Sequence, residues 1–126
     1  MSEKIYHLAV DVTLRAISGK WKTSIICNLG TKSMRTNELK KQMPGISQRI
    51  LTKQLKELEE DKIVIRKVYP EVPPRVEYCL SENGNNLRKI LLEMSHWGER
   101  QIEILKENGQ EVKVLDDNLA GFEESK

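Results

Sequence analysis

The sequence predicts a mainly α-helical domain that carries one small β-hairpin. Charged residues fill 32% of the 126 positions and aromatics only 5%, a balance that suits packed helices better than an all-β protein. Apolar residues recur every three or four positions through the first half of the chain and again from Leu87 onward. Between those stretches two short runs alternate in character, separated by Pro-Glu-Val-Pro-Pro at 70–74.

Residues 8–17 (LAVDVTLRAI) read as a first helix, which Ser18-Gly19 interrupts. Residues 20–29 (KWKTSIICNL) read as a second, with Trp21, Ile25, Ile26 and Leu29 on one side and Gly30 as the stop. Lys32–Arg35 is short enough to be a minimal strand. Thr36 is a suitable N-cap for a third helix reaching Met43. Pro44 lacks the N–H needed to continue that helix, and Gly45 tolerates the backbone of a sharp turn. Ser47 then caps a fourth helix, which ends near Asp61-Lys62.

The runs 63–69 (IVIRKVY) and 75–81 (RVEYCLS) follow as two strands. In the second, Val76, Tyr78 and Leu80 point one way, and Arg75, Glu77 and Cys79 point the other. From about Ser81 a long helix carries the stripe Leu87, Ile90, Leu91, Met94, Trp97 and Ile102. Residues 1–105 are thus expected to form one domain, and residues 106–126 an acidic, loosely ordered tail. Helices, a tight turn, a capped helix, a hairpin and a long helix make up the winged helix-turn-helix plan.

Charge singles out the fourth helix. The formal net charge is only +2, but residues 1–98 hold 17 Lys/Arg against 11 Asp/Glu, while residues 99–126 hold 4 against 8. A basic body with an acidic tail conceals a nucleic-acid footprint in the whole-chain sum. Within 47–60, Leu51, Leu55 and Leu58 share one face. Arg49, Lys53 and Lys56 keep the same spacing on another, with Gln48 and Thr52 beside them. A lone basic stripe is most simply a solvated face. With a turn before it and a hairpin after it, the better reading is a helix that enters the major groove of double-stranded DNA.

Arg49 can fork onto guanine O6 and N7, and Gln48 can do the same for adenine. Ser47 stands where a hydroxyl and the helix-start N–H groups meet a phosphate. Lys53 and Lys56 suit phosphates further along. Arg75, beside Pro73-Pro74, is the candidate for minor-groove or backbone contact from the hairpin, with Arg66 and Lys67 on the preceding strand. Lys20 and Lys22 flank Trp21 at a helix start and are further backbone candidates.

Four stretches resemble the HxlR-type family of bacterial winged-helix transcription regulators, within the MarR-like group. They are SGKWKTSII at 18–26, RTNELKKQMPGISQRILTKQLKELEEDKIV at 35–64, VYPEVPPRVEYCLSENG at 68–84, and Trp97-Gly98. The resemblance implies a homodimer that binds an inverted-repeat operator, with the helix from Ser47 reading the major groove and the wing at 70–75 on the backbone or minor groove. It also implies dimer contacts from the first and last helices, which here offer Leu8, Val12, Leu87, Ile90, Leu91, Met94, Trp97 and Ile102. Some relatives sense oxidants through a cysteine about fourteen residues before the tryptophan that is here Trp21. That position is His7, so this sensing route is not expected.

Other chemistry finds little support. Neither the two histidines nor Cys27 and Cys79 have metal-ligand or disulfide-framework spacing, so no metal and no cofactor is expected. Cys27 reads as a buried small hydrophobe, Cys79 as the more accessible thiol. No nucleophile elbow, phosphate loop or zinc-protease motif is present, and the acids Glu57, Glu59, Glu60 and Asp61 suit a solvated helix end. The chain is not expected to be an enzyme. It has no membrane-length apolar run and no secretory start, so a cytoplasmic location is expected. An effector of unknown identity would lodge between the wing domain and the dimer helices. The alternative function is a winged-helix protein-interaction module without specific DNA binding, which would call for a neutral or acidic face at 48–56.

Overall fold

The computed structural model describes residues 3–115, so most of the acidic tail lies outside the described residues. The element order is α1 (Ala9–Ala16), α2 (Lys22–Leu29), α3 (Thr36–Lys41), α4 (Gln48–Glu60), β1 (Val64–Tyr69), β2 (Arg75–Leu80) and α5 (Glu82–Glu107). This is a winged helix-turn-helix. The strands pair antiparallel, from Val64 opposite Leu80 to Tyr69 opposite Arg75. The expected minimal strand shrinks to one bridge: Met34 exchanges both backbone hydrogen bonds with Tyr78, at 2.9 and 2.8 Å.

The core gathers α2 (Ile25, Ile26, Leu29), α3 (Leu39), α4 (Leu51, Leu55, Leu58), the strand ends Val64 and Leu80, and Leu87 and Leu91 of α5. Two helix starts differ from expectation. Trp21 precedes α2 as its N-cap residue instead of lying within it. Helix α3 is capped one residue earlier than Thr36: Arg35 N donates to Glu38 Oε1 at 2.8 Å, so a carboxylate three residues on supplies the acceptor. At the other end of the chain α5 continues through Glu107, two residues past the expected domain boundary.

The end of α4 sets the course of everything after it. Lys62 takes a left-handed φ of 63°, which lets Ile63 N reach Leu58 O (2.9 Å) and Lys62 N reach Glu59 O (3.0 Å). Both bonds satisfy helix-end carbonyls, and the chain leaves α4 with Ile63 and Leu58 both buried. Ser81 then ties the start of α5 to this corner. Its Oγ donates toward the carbonyls of Lys62 (2.6 Å) and Ile63 (3.1 Å), and accepts from Gly84 N at 2.9 Å.

Helix α5 has two apolar stripes where the sequence suggested one. Leu87 and Leu91 face the protomer's own core, at 9% and 3% exposure, so they are withdrawn as dimer-interface candidates. Ile90, Met94, Trp97 and Ile104 turn outward and are exposed, while Ile102 is half-buried. Helix α1 buries none of its residues, and Leu8, Val10, Val12 and Leu14 around it are exposed. A cleft of about 570 Å³, lined in part by Val12, Ala16, Leu87 and Ile90, separates α1 from the start of α5.

Candidate nucleic-acid interface

Helix α4 is positioned by its three leucines and by the turn before it. Leu51, Leu55 and Leu58 are at most 1% exposed, so one face of the helix is wholly committed to the core. Gly45 turns the chain between α3 and α4 with a φ of 93°, which a side chain would strain. Ser47 Oγ accepts from Ile50 N at 3.1 Å and caps α4, leaving its hydroxyl proton to donate elsewhere.

The opposite face is open. Ser47, Gln48, Arg49, Thr52, Lys53 and Lys56 are all exposed, apart from the core, and the first turn of α4 has no acidic residue. Gln48 Nε2 donates to Thr52 Oγ1 at 3.3 Å, which orders these two polar groups one turn apart. Lys20 is exposed as well, with its ammonium 4.8 Å from the Trp21 ring centroid. The Trp21 ring itself leans toward Gly45, at 3.9 Å from where a Cβ would stand there. Trp21 thus braces the helix-turn-helix corner while Lys20 stays at its surface.

Lys22 is the clear correction among the basic candidates. Its side chain is 8% exposed, and its ammonium lies 2.8 Å from Glu57 Oε1 on α4. It faces inward and is removed from the set of backbone contacts. Glu57 is corrected with it, from a solvated helix-end acid to the partner that fixes the start of α2 against α4. The signal that could have found this pair is faint, because thirty-odd residues separate the two and nothing local distinguishes Lys22 from Lys20. The hydrogen bond from Lys22, joined by the charges of Lys22, Lys53 and Arg15, holds the Glu57 carboxyl below its ordinary value of 4.5 against the opposing effect of desolvation.

A carboxyl depressed in the folded state contributes stability that is complete above its unfolded value and is lost as pH falls through its folded one. The stability difference between the parent and Glu57→Gln is therefore expected to be constant from neutral pH down to about 5 and to close below about 4.5. Urea midpoints measured across that range check it. A gap that persists unchanged at pH 3 would show that Glu57 acts without its charge.

At the hairpin, Arg66 and Lys67 are exposed on β1. Arg75 does not project. It lies over the Tyr69 ring, 4.0 Å from its centroid, and beside Glu71 and Glu77. Cys79 is half-buried opposite Ile65, Cys27 is half-buried instead of fully buried, and no disulfide joins them. Among the described residues no group of three or more His, Cys, Asp or Glu could hold a metal, and no helix is long and apolar enough to cross a membrane.

The family pattern described as HxlR-like helix-turn-helix matches residues 16–106, which include every element from α2 to the body of α5. The HTH-type transcriptional regulator YtcD of Bacillus subtilis (strain 168) is 44% identical over 119 residues, covering 94% of this chain and 93% of its own. Among solved structures, the redox regulator HypR in its reduced form is 46% identical with a TM-score of 0.72, covering 78% of this chain and 97% of that one. A MarR-family transcriptional regulator of Enterococcus faecalis V583 is 38% identical with a TM-score of 0.73, covering 79% and 90%. These relatives are transcriptional regulators and not enzymes. With the turn, the capped basic helix and the hairpin all inside the matched span, the chain belongs to the HxlR-like helix-turn-helix family and is a transcriptional regulator.

Proposed function

We propose that the protein binds an inverted-repeat operator as a homodimer, with α4 of each protomer in a major groove. The exposed set Gln48, Arg49, Thr52, Lys53 and Lys56 opposite a fully buried leucine face carries this reading. Arg49 and Gln48 lie in the first turn, where a helix entering the groove end-on offers side chains to base edges. Ser47, Lys53, Lys56 and Lys20 serve phosphates, which fix register without reading sequence. The wing at 70–75 lies along the backbone or minor groove.

Two features support the dimer. Helix α1 has 8 residues, too few to be stable alone in water, and it buries none of them against its own protomer. Helix α5 spans 26 residues, and its outward stripe Ile90, Met94, Trp97 and Ile104 is exposed in the single chain. Leu8 and Val12 of the α1 region, with Ile90, Met94, Trp97 and Ile102 of α5, form the proposed interface. A twofold axis there would set the two α4 helices about 34–36 Å apart, or a multiple, to meet half-sites on one face of the duplex.

Arg49→Ala is expected to weaken binding to the selected operator by about 1–3 kcal/mol and to relax preference at one base position. Lys53→Ala is expected to weaken binding on all sequences and to lower the salt slope by about one. Binding-site selection followed by titration at several salt concentrations measures both. Parent-like binding by both variants would displace α4 as the reading helix, and sedimentation of a monomer at micromolar concentration, with and without DNA, would remove the dimer.

A further inference from the structure

Arg75 occupies the base of the wing loop in a way that a DNA-reaching arginine would not. It opens β2 directly opposite Tyr69, the last residue of β1, so it joins the two ends of the loop 70–74. Its guanidinium stacks on the Tyr69 ring at 4.0 Å from the centroid. Nη2 lies 3.6 Å from Glu71 Oε1, and Nε lies 3.7 Å from Glu77 Oε2. Nε is shut off from solvent with no hydrogen-bond partner, so that edge of the guanidinium is not available to an incoming ligand.

The neighbouring acids decide its role. Arg75 ion-pairs with both Glu71 and Glu77, and Lys67 stands opposite Glu77 in the strand register. Were it to swing out to a phosphate or a minor groove, it would leave the ring and expose two carboxylates to a polyanion. The like-charge repulsion so created opposes the attraction it would find there. Kept in place, the same side chain offsets part of the negative charge of both acids and holds the loop. Arg66 and Lys67 are meanwhile exposed on β1.

We infer that Arg75 is a positioning residue: it braces the wing loop on Tyr69 and masks Glu71 and Glu77, while Arg66 and Lys67 bind the wing's phosphates. This rests on the reading of the chain as an operator-binding regulator and assigns the work within its wing.

The test uses the full chain and a duplex recovered from a random pool by binding-site selection, titrated across a salt series. Arg75→Gln and Tyr69→Ala are each expected to weaken binding roughly three- to tenfold, with the parent's salt slope retained in Tyr69→Ala, which changes no charge. Their double variant is expected to bind no more weakly than Arg75→Gln alone, because both remove the same stacked pair. Tyr69→Phe keeps the ring and is expected to bind like the parent, which separates loss of the brace from loss of the fold. Adding Glu71→Gln and Glu77→Gln to Arg75→Gln is expected to recover more affinity than the same pair of changes adds to the parent. Arg66→Gln and Lys67→Gln are instead expected to lower the slope, by about 0.9 for each phosphate no longer neutralised.

A slope lowered by about 0.9 in Arg75→Gln, with Tyr69→Ala unchanged, would make Arg75 a direct phosphate ligand and overturn the inference. Parent-like affinity in Arg75→Gln, or additive losses with Tyr69→Ala, would overturn it too. Failure of the underlying reading looks different, since the parent chain itself would then select no duplex.

Discussion

Gly84→Ala is expected to destabilise the protein by about 3 kcal/mol, a large effect for one added methyl group. A Cβ at this position would stand 2.1 Å from the Ile63 carbonyl oxygen and 3.1 Å from its carbon. Those are backbone atoms, so no rotamer change can clear the space. Helix propensity pulls the other way, because alanine is favoured over glycine in a helix by about 1 kcal/mol. The clash wins, since moving Ile63 O also breaks the bonds it accepts from Ser81 N (3.0 Å) and Ser81 Oγ (3.1 Å). Gly98, in the same helix, meets nothing within 4 Å in its own protomer, so in an isolated protomer Gly98→Ala is expected to add about 0.5–1 kcal/mol. Urea unfolding of both variants at one fixed protein concentration measures the contrast, the concentration mattering because a dimer's midpoint depends on it. Equal stability for Gly84→Ala and parent would mean that α5 does not sit against Ile63 as described. A loss at Gly98 would mean that a second chain approaches that face of α5.

Leu55→Ala is expected to cost about 2–5 kcal/mol, the range for truncating a fully buried leucine. Leu55 is 1% exposed at the centre of the stripe that seats α4, between Leu51 and Leu58, both 0% exposed. Loss of its side chain leaves a void beneath the helix that carries Arg49 and Lys53. Operator affinity should therefore fall along with stability. Arg49→Ala is the informative partner, because Arg49 is exposed and its removal should leave stability within about 0.5 kcal/mol of the parent. Thermal unfolding and operator titration on the same two samples separate them. A Leu55→Ala protein with parent stability would show that α4 is held by something other than its leucine face.

Element order and the candidate reading helix were legible in the chain because both rest on local rules. The leucine spacing at 51, 55 and 58 committed one face of α4 to a core before any partner was known, and all three are buried. Ser47 was readable as a cap, and Pro44-Gly45 as a break, from the chemistry of those residues alone. Alternation at 75–80 and the prolines of the loop marked the hairpin in the same way. What lay beyond local rules was which of several similar residues the fold would turn inward. Lys20 and Lys22 flank the same tryptophan, yet one is exposed and the other is paired with Glu57 across the helix-turn-helix. The apolar set on α5 forms one stripe by periodicity alone, and packing divides it, with Leu87 and Leu91 buried in the core and Ile90, Met94 and Trp97 left outside. Arg75 belongs with these, since its register opposite Tyr69 exists only once the two strands have paired. Periodicity determines that a face exists, and it is the neighbours brought up by the rest of the chain that determine what each face meets.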